Sequence, residues 1–227
     1  MSKDKPHYHG HRDRLRARFA EGGVTALADY ELLELYLFNS IPRRDVKPLA
    51  KDLIDKFGSF AEVVSAPVER LTEVKGISEK TALDLSLIKA AATKLGQQSV
   101  MDKPVLSSWT ALLNYVRSVM QFEGKEQFRV LFLDRKNRLI ADEILGQGTV
   151  DRAPVYPREV IKRALDLNST AIILTHNHPS GDPTPSQSDI KMTNSIVDAA
   201  KAIGVVVHDH LIIGRNDITS FKSEGLL

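Results

Sequence analysis

The chain has 227 residues, 42% hydrophobic and 26% charged, with a formal net charge of +2 and no cysteine. Those values predict a globular, soluble protein, exclude disulfides and thiolate metal sites, and are too close to neutral to indicate nucleic acid on charge alone. No apolar run approaches the roughly 18 to 20 residues that span a bilayer, and the polar start lacks the apolar core of a secretion signal, so a cytoplasmic location is expected.

A basic cluster comes first: His9, His11, Arg12, Arg14, Arg16 and Arg18. Such a run is either a solvated helix face or arm, or a phosphate-binding patch. From Asp29 to Leu95 the pattern is helical. Asp29 is positioned to cap a helix through Leu32, Leu33 and Tyr36, and a second helix, Val46 to Phe57, should stop at Gly58. Ser59 and Pro67 mark two short helices, and Ser78 to Leu95 carries Ala82, Leu85, Ile88 and Ala92 on one face. Polar Gly96 to Pro104 loses this periodicity, which sets a helical domain at 1–96, a linker at 97–104 and a second domain at 105–227.

Beyond the linker the period changes. A helix is expected over Ser108 to Met120, then strands Phe128 to Leu133 and Leu139 to Leu145 about the turn Asp134-Arg135-Lys136-Asn137. A helix over Pro157 to Leu167, a buried strand Ala171 to Thr175, a helix over Ser186 to Ile203 and short strands at Val205 to His208 and Leu211 to Ile213 follow. The alternation predicts an α/β sandwich around a mixed sheet, preceded by a small all-α domain.

One constellation in this second part carries chemistry: His176-Asn177-His178-Pro179, then Ser186 and Asp189. Histidines two apart on extended backbone point the same way, so both imidazoles reach one ion. Asp189 adds an anionic ligand, and three protein ligands leave a tetrahedral position for water, as in catalytic zinc sites. A local reading competes with this: Ser186-x-x-Asp189 also spells a helix capping box, and histidines at a strand end can be plain polar punctuation.

The spacing H-x-H-P-x6-S-x2-D resembles the signature of the JAMM (MPN+) metalloprotease superfamily. His176-Asn177-His178-Pro179-Ser180-Gly181-Asp182, Pro157-Arg158-Glu159, Asp209-His210 with Ile212-Ile213-Gly214, and Ser220-Phe221 are similar to the RadC family, also called UPF0758. The resemblance runs across the whole chain. It implies a JAMM/MPN-like fold behind a helical domain, Zn²⁺ on His176, His178 and Asp189 with water as the fourth ligand, and a glutamate general base on the first strand of the second domain. Glu126, two residues before Phe128, stands where the family pattern has that acid, and Glu143 beside Asp142 on the next strand is its rival. On this reading the Ser186 hydroxyl hydrogen-bonds a developing oxyanion. Asp209 either orients a ligand histidine or forms a strand-end ion pair, His208 is structural, and Arg158 either orients a substrate carboxylate or supports its helix.

Leu71 to Ala82 resembles the turn of a helix-hairpin-helix, a module that offers helix N-terminal N–H groups to a DNA phosphate. Ser78 stands in place of the second glycine of that turn, with Lys75 and Lys80 beside it. Two functions of different class follow. One is a zinc-dependent peptidase or isopeptidase acting on a peptide or protein; the other is a DNA-associated protein contacting DNA through residues 71–82 and the basic N-terminal segment, with a structural or vestigial metal site.

Overall fold

A computed structural model describes residues 10–101, 103–148 and 155–227, so His9 of the basic cluster lies outside the described residues. The chain divides into two compact units, Met1–Ala91 and Ala92–Leu227. No helix among the described residues is long and apolar enough to cross a membrane.

In the first unit the basic run is itself a helix, α1 (His11–Gly22), which buries Leu15. It leads through a 3₁₀ turn (Gly23–Ala26) to α2 (Asp29–Ser40), where Leu33, Leu37 and Phe38 are buried at helical spacing. Asp29 does not cap this helix. Ala28 takes the cap position, Glu31 accepts the Ala28 N–H at 3.1 Å, and the Asp29 carboxylate instead accepts the Phe60 N–H at 2.8 Å. Helix α3 (Lys47–Phe57) has Pro48 in its first turn and ends at Gly58. Helix α4 (Phe60–Ser65) is capped by Ser59, whose Oγ accepts the Glu62 N–H at 3.2 Å, and α5 (Val68–Thr72) follows Pro67. The basic cluster is partly turned inward: Arg12 donates to the carbonyls of Ile41 and Arg44 at 3.1 and 2.8 Å, and Arg18 pairs with Glu31 at 2.8 Å.

Helix α6 (Glu79–Val100) runs further than its sequence pattern suggests, and the division between the units falls inside it. Gly96 to Val100 form its last turn where a linker was expected. Gly96 packs on Tyr115, where a Cβ would meet the ring at 3.4 Å, and Val100 is fully buried, so tertiary contact supplies what local periodicity does not.

The second unit is a five-stranded mixed sheet in the order β2-β1-β3-β4-β5. Its elements are α7 (Trp109–Met120), β1 (Gln127–Leu133), β2 (Leu139–Gln147), α8 (Pro157–Asp166), β3 (Ala171–Asn177), α9 (Gln187–Ala202), β4 (Val206–Ile213) and β5 (Ile218–Ser220). Among the strands of the described residues only β3 and β4 pair in parallel, and their connection carries α9 as the crossover. On one face Leu131, Leu133, Ile173 and Leu211 pack with Leu112, Val116 and Met120 of α7; on the other Phe128, Val130, Ile172 and Leu174 pack with Val160 of α8 and Ile196 of α9. Burial on both faces explains the unbroken apolar runs of β1 and β3. The two short strands expected at Val205 to His208 and Leu211 to Ile213 are one strand, β4, with a register shift at His208 where Ile172 pairs Val207 and Ile173 pairs Asp209.

Candidate metal centre

Strand β3 extends two residues past its apolar run and so includes His176 and Asn177. Alternation directs His176 to the α9 face, and His178 follows on the same side. Ser186 caps α9 by accepting the Asp189 N–H at 3.1 Å, while Asp189 Oδ2 accepts the Ser186 N–H at 2.7 Å. The capping box therefore forms, and it also aims Asp189 at the histidines. His176 Nε2 lies 3.6 Å from Asp189 Oδ1, His178 Nε2 lies 3.6 Å from Asp189 Oδ2, and the two Nε2 atoms are 3.0 Å apart. One ligand atom from each of the three residues lies within 4.8 Å of the others, a group that could hold a metal ion.

Hydrogen bonds behind the ligands decide which nitrogens are bare. The Asp189 carbonyl can only accept, so Thr193 Oγ1 donates to it at 2.6 Å and must accept from His210 Nδ1–H, also at 2.6 Å. His210 Nε2 is then an acceptor, and His176 Nδ1–H donates to it at 2.8 Å. His178 Nδ1–H donates to the Asp182 carbonyl at 2.7 Å. Both Nε2 lone pairs consequently face each other and a carboxylate, an arrangement that needs a cation, proton or metal ion, between them. Burial pushes His176 down to about 4 and holds His210 well below the ordinary histidine value. The adjacent Asp189 carboxylate raises His178, against its partial burial. Burial alone would raise Asp189, yet the neighbouring His178 and the hydrogen bond from Ser186 hold it well below the carboxylate range. The donor set and its charge state fit a divalent cation of borderline softness.

The loop that carries Asp182 is fastened to the end of β4. His178 N–H donates to the Ile213 carbonyl at 3.0 Å and Arg215 N–H to the Gly181 carbonyl at 2.8 Å, and a Cβ on Gly214 would stand 2.5 Å from that same Gly181 oxygen. Only glycine at 214 permits this approach.

The two candidate bases separate. Glu143, opposite Val130 on β2, forms a two-point ion pair with Arg163 at 2.6 Å that lowers its pKa, and it lies two strands from β3. Glu126 directly precedes β1, two residues before Phe128, which pairs with His176. Its charge contributes to raising the His178 pKa.

Other candidates fall elsewhere. Asp209 touches neither ligand histidine; its carboxylate accepts from Ser220 Oγ at 2.6 Å and from the His210 and Lys222 N–H groups at 2.7 and 3.0 Å. Its neighbour His210 is the residue that backs His176. His208 bonds Asn137 Oδ1 at 2.7 Å, and Arg158 is exposed, stacked over Tyr156 at 5.3 Å. Asp182 and His210 enter the sequence reading only within the family-like runs and not as ligand supports, and Thr193 carries only the signal of a threonine one helical turn after a candidate ligand.

Residues 106–226 match the RadC-like JAB domain family and residues 9–83 the UPF0758 N-terminal family. The chain is 60% identical to a UPF0758 protein of Rhodobacter capsulatus over 94% of its own length and 100% of the relative's. It is also 60% identical to one of Ruegeria pomeroyi over 96% and 97%. With a helical first unit, a JAB/MPN-like mixed sheet in the second and identity of this extent over nearly the whole length, the chain belongs to the UPF0758 family and carries a RadC-like JAB domain.

Proposed function

We propose that the protein is a zinc-dependent hydrolase of the peptidase or isopeptidase class, with His176, His178 and Asp189 as ligands and Glu126 as general base. The observation that carries this is the pair of histidines, His176 with Nδ1 tied to His210 and His178 with Nδ1 tied to the Asp182 carbonyl, whose Nε2 atoms converge on Asp189, with the charge of Glu126 felt at His178. A bound zinc supplies a Lewis acid and lowers the pKa of water toward about 7. Glu126 takes the proton of the attacking water and returns it to the leaving amine. Ser186 Oγ accepts the Asp189 N–H and shares a hydrogen bond with Ser188 Oγ at 2.7 Å; with Ser188 as donor there, the Ser186 proton is left for an oxyanion contact typically worth about 2.7 to 4 kcal/mol. Burial of His176 and the His210–Thr193 chain keeps the first ligand neutral and oriented.

Elemental mass spectrometry of untagged protein, followed by hydrolysis of peptide and isopeptide panels, tests this. Near-stoichiometric zinc that disappears in Asp189→Ala, with Glu126→Gln loaded but inactive, is the expected result. Wild type that neither carries nor takes up zinc sinks the reading, and a Glu126→Gln protein as active as wild type removes Glu126 from it.

A second reading, DNA contact by the helical unit, is favoured by one observation: the guanidinium of Arg44 lies against Gly76 in the hairpin turn, where Ser78 Oγ caps α6 by accepting the Thr81 N–H at 3.2 Å. Full-length protein should then bind duplex DNA with a steep inverse dependence on salt that Arg44→Ala flattens. Binding that is absent at low salt ends this reading.

A further inference from the structure

We infer that Asn177 is a positioning residue that holds the segment carrying Glu126 in register with the metal ligands. Its chemical meaning rests on the hydrolase reading above. Strand alternation turns Asn177 away from the ligand face, and it is only 1% exposed. Its side chain makes three hydrogen bonds, all to backbone: Oδ1 accepts the Gln127 N–H at 2.8 Å, and Nδ2 donates to the carbonyls of Glu123 and Lys125, each at 3.1 Å. These partners lie on both sides of Glu126. A single side chain placed between the two histidine ligands thus grips the backbone on either side of the base.

The chemistry of the grip is restrictive. It needs one acceptor and two donors on a short planar group, which asparagine provides. An aspartate would turn an oxygen toward two carbonyl oxygens, and an aliphatic residue would leave buried backbone groups unpaired. Glu126 therefore takes its place relative to His178 from two constraints: the β1–β3 ladder on one side and Asn177 on the other. A purely structural asparagine would stabilise the strand end without affecting the base.

Full-length wild type, Asn177→Ala, Glu126→Gln and the double variant separate these roles, with Asn177→Ser as substitute should the alanine variant not fold. In metal-free protein, hydrogen exchange over residues 123–127 should quicken about tenfold or more in Asn177→Ala, with α9 unchanged. Each protein is then loaded with Co²⁺ and its visible absorption followed against pH. Glu126→Gln should move the midpoint by about one unit, the scale of removing a nearby charge. Asn177→Ala should move it the same way by less, and the double variant no further than Glu126→Gln. Unchanged exchange over residues 123–127 overturns the inference. So does a wild-type midpoint in Asn177→Ala when Glu126→Gln is shifted, and so do additive shifts in the double variant. Cobalt that fails to bind wild type, or a Glu126→Gln midpoint equal to wild type, defeats the hydrolase reading itself; faster exchange alone then reduces Asn177 to a strand-end clasp and overturns its positioning role.

Discussion

In the helical unit His11 Nε2 meets Glu34 Oε1 at 2.8 Å; in the sheet unit His176 and His178 each stand 3.6 Å from Asp189. The shorter contact is the poorer metal site. Glu34 is 1% exposed and has one oxygen on His11, while its Oε2 is buried without a hydrogen-bond partner among the described residues. The Asp189 cluster has two imidazoles, each with Nδ1 tied to an acceptor and Nε2 turned inward. Among the described residues only His176, His178 and Asp189 form a group of three that could hold a metal. Closeness of opposite charge does not make a metal centre; convergent lone pairs, fixed by hydrogen bonds behind them, do.

The largest effect should come from exchanging the comparable histidines. His176→Ala removes a candidate ligand and should lower zinc affinity by more than about 100-fold, beyond the 10- to 100-fold typical of an outer partner. His11→Ala should leave zinc loading as in wild type. Isothermal titration of both proteins decides it, and a His11→Ala protein that loses zinc like His176→Ala breaks the contrast.

Next in size is the partner behind His176. His210→Ala leaves all three ligands in place but removes the acceptor for His176 Nδ1–H, and should weaken zinc about 10- to 100-fold in competition with a chromophoric chelator. Thr193→Val, one step further along the chain, should act in the same direction and more weakly. Wild-type affinity in His210→Ala would mean that burial alone orients His176.

Acidity gives a smaller, graded test. Burial pushes His176 down to about 4 and its partners keep Asp189 low, so on acidification a bound zinc would first compete with a proton at His178. Because the His178 pKa is raised, the loss of affinity on acidification starts above the ordinary histidine value. The logarithm of apparent affinity should fall by about one per pH unit there, and more steeply only as pH approaches that of His176. A slope near two just below neutrality would show both histidines protonated together and contradict the burial argument.

What was legible in the sequence follows from how far each determinant reaches. The triad could be read because its parts are local: a two-residue strand period and a capping turn, joined by one loop. Asp189 forms the cap and also faces both histidines, so the capping reading does not exclude the ligand reading: one geometry serves both. By contrast β4 looked like two strands because Asp209 and His210 interrupt its apolar run. Their partners are remote, Ser220 lying 11 and Thr193 lying 17 positions away, so the burial of these polar groups was not readable locally. Glu126 depends on cross-strand register between β1 and β3, which no single segment encodes, and only the family pattern pointed to it. The last turn of α6 likewise depends on the burial of Val100 in the core of the second unit.

The smallest effect is expected at Glu34, where the contrast can be sharpened. A buried carboxylate with one oxygen unpaired among the described residues loses hydration that the His11 contact restores only in part. His11, with its side chain 31% exposed, can turn to water when that contact is lost. Glu34→Leu places an apolar side chain beside buried Leu33, Leu37 and Phe38, and replacements of this kind at buried ion pairs are commonly neutral or stabilising. Chemical denaturation should accordingly show a change of no more than about 1 kcal/mol, or a gain. A loss of about 3 to 5 kcal/mol, the cost of breaking a well-satisfied buried pair, would make His11–Glu34 a structural element of the helical unit rather than an incompletely paired contact. Zinc loading should be unchanged in either case, because Glu34 takes no part in the convergent lone-pair geometry of the second unit.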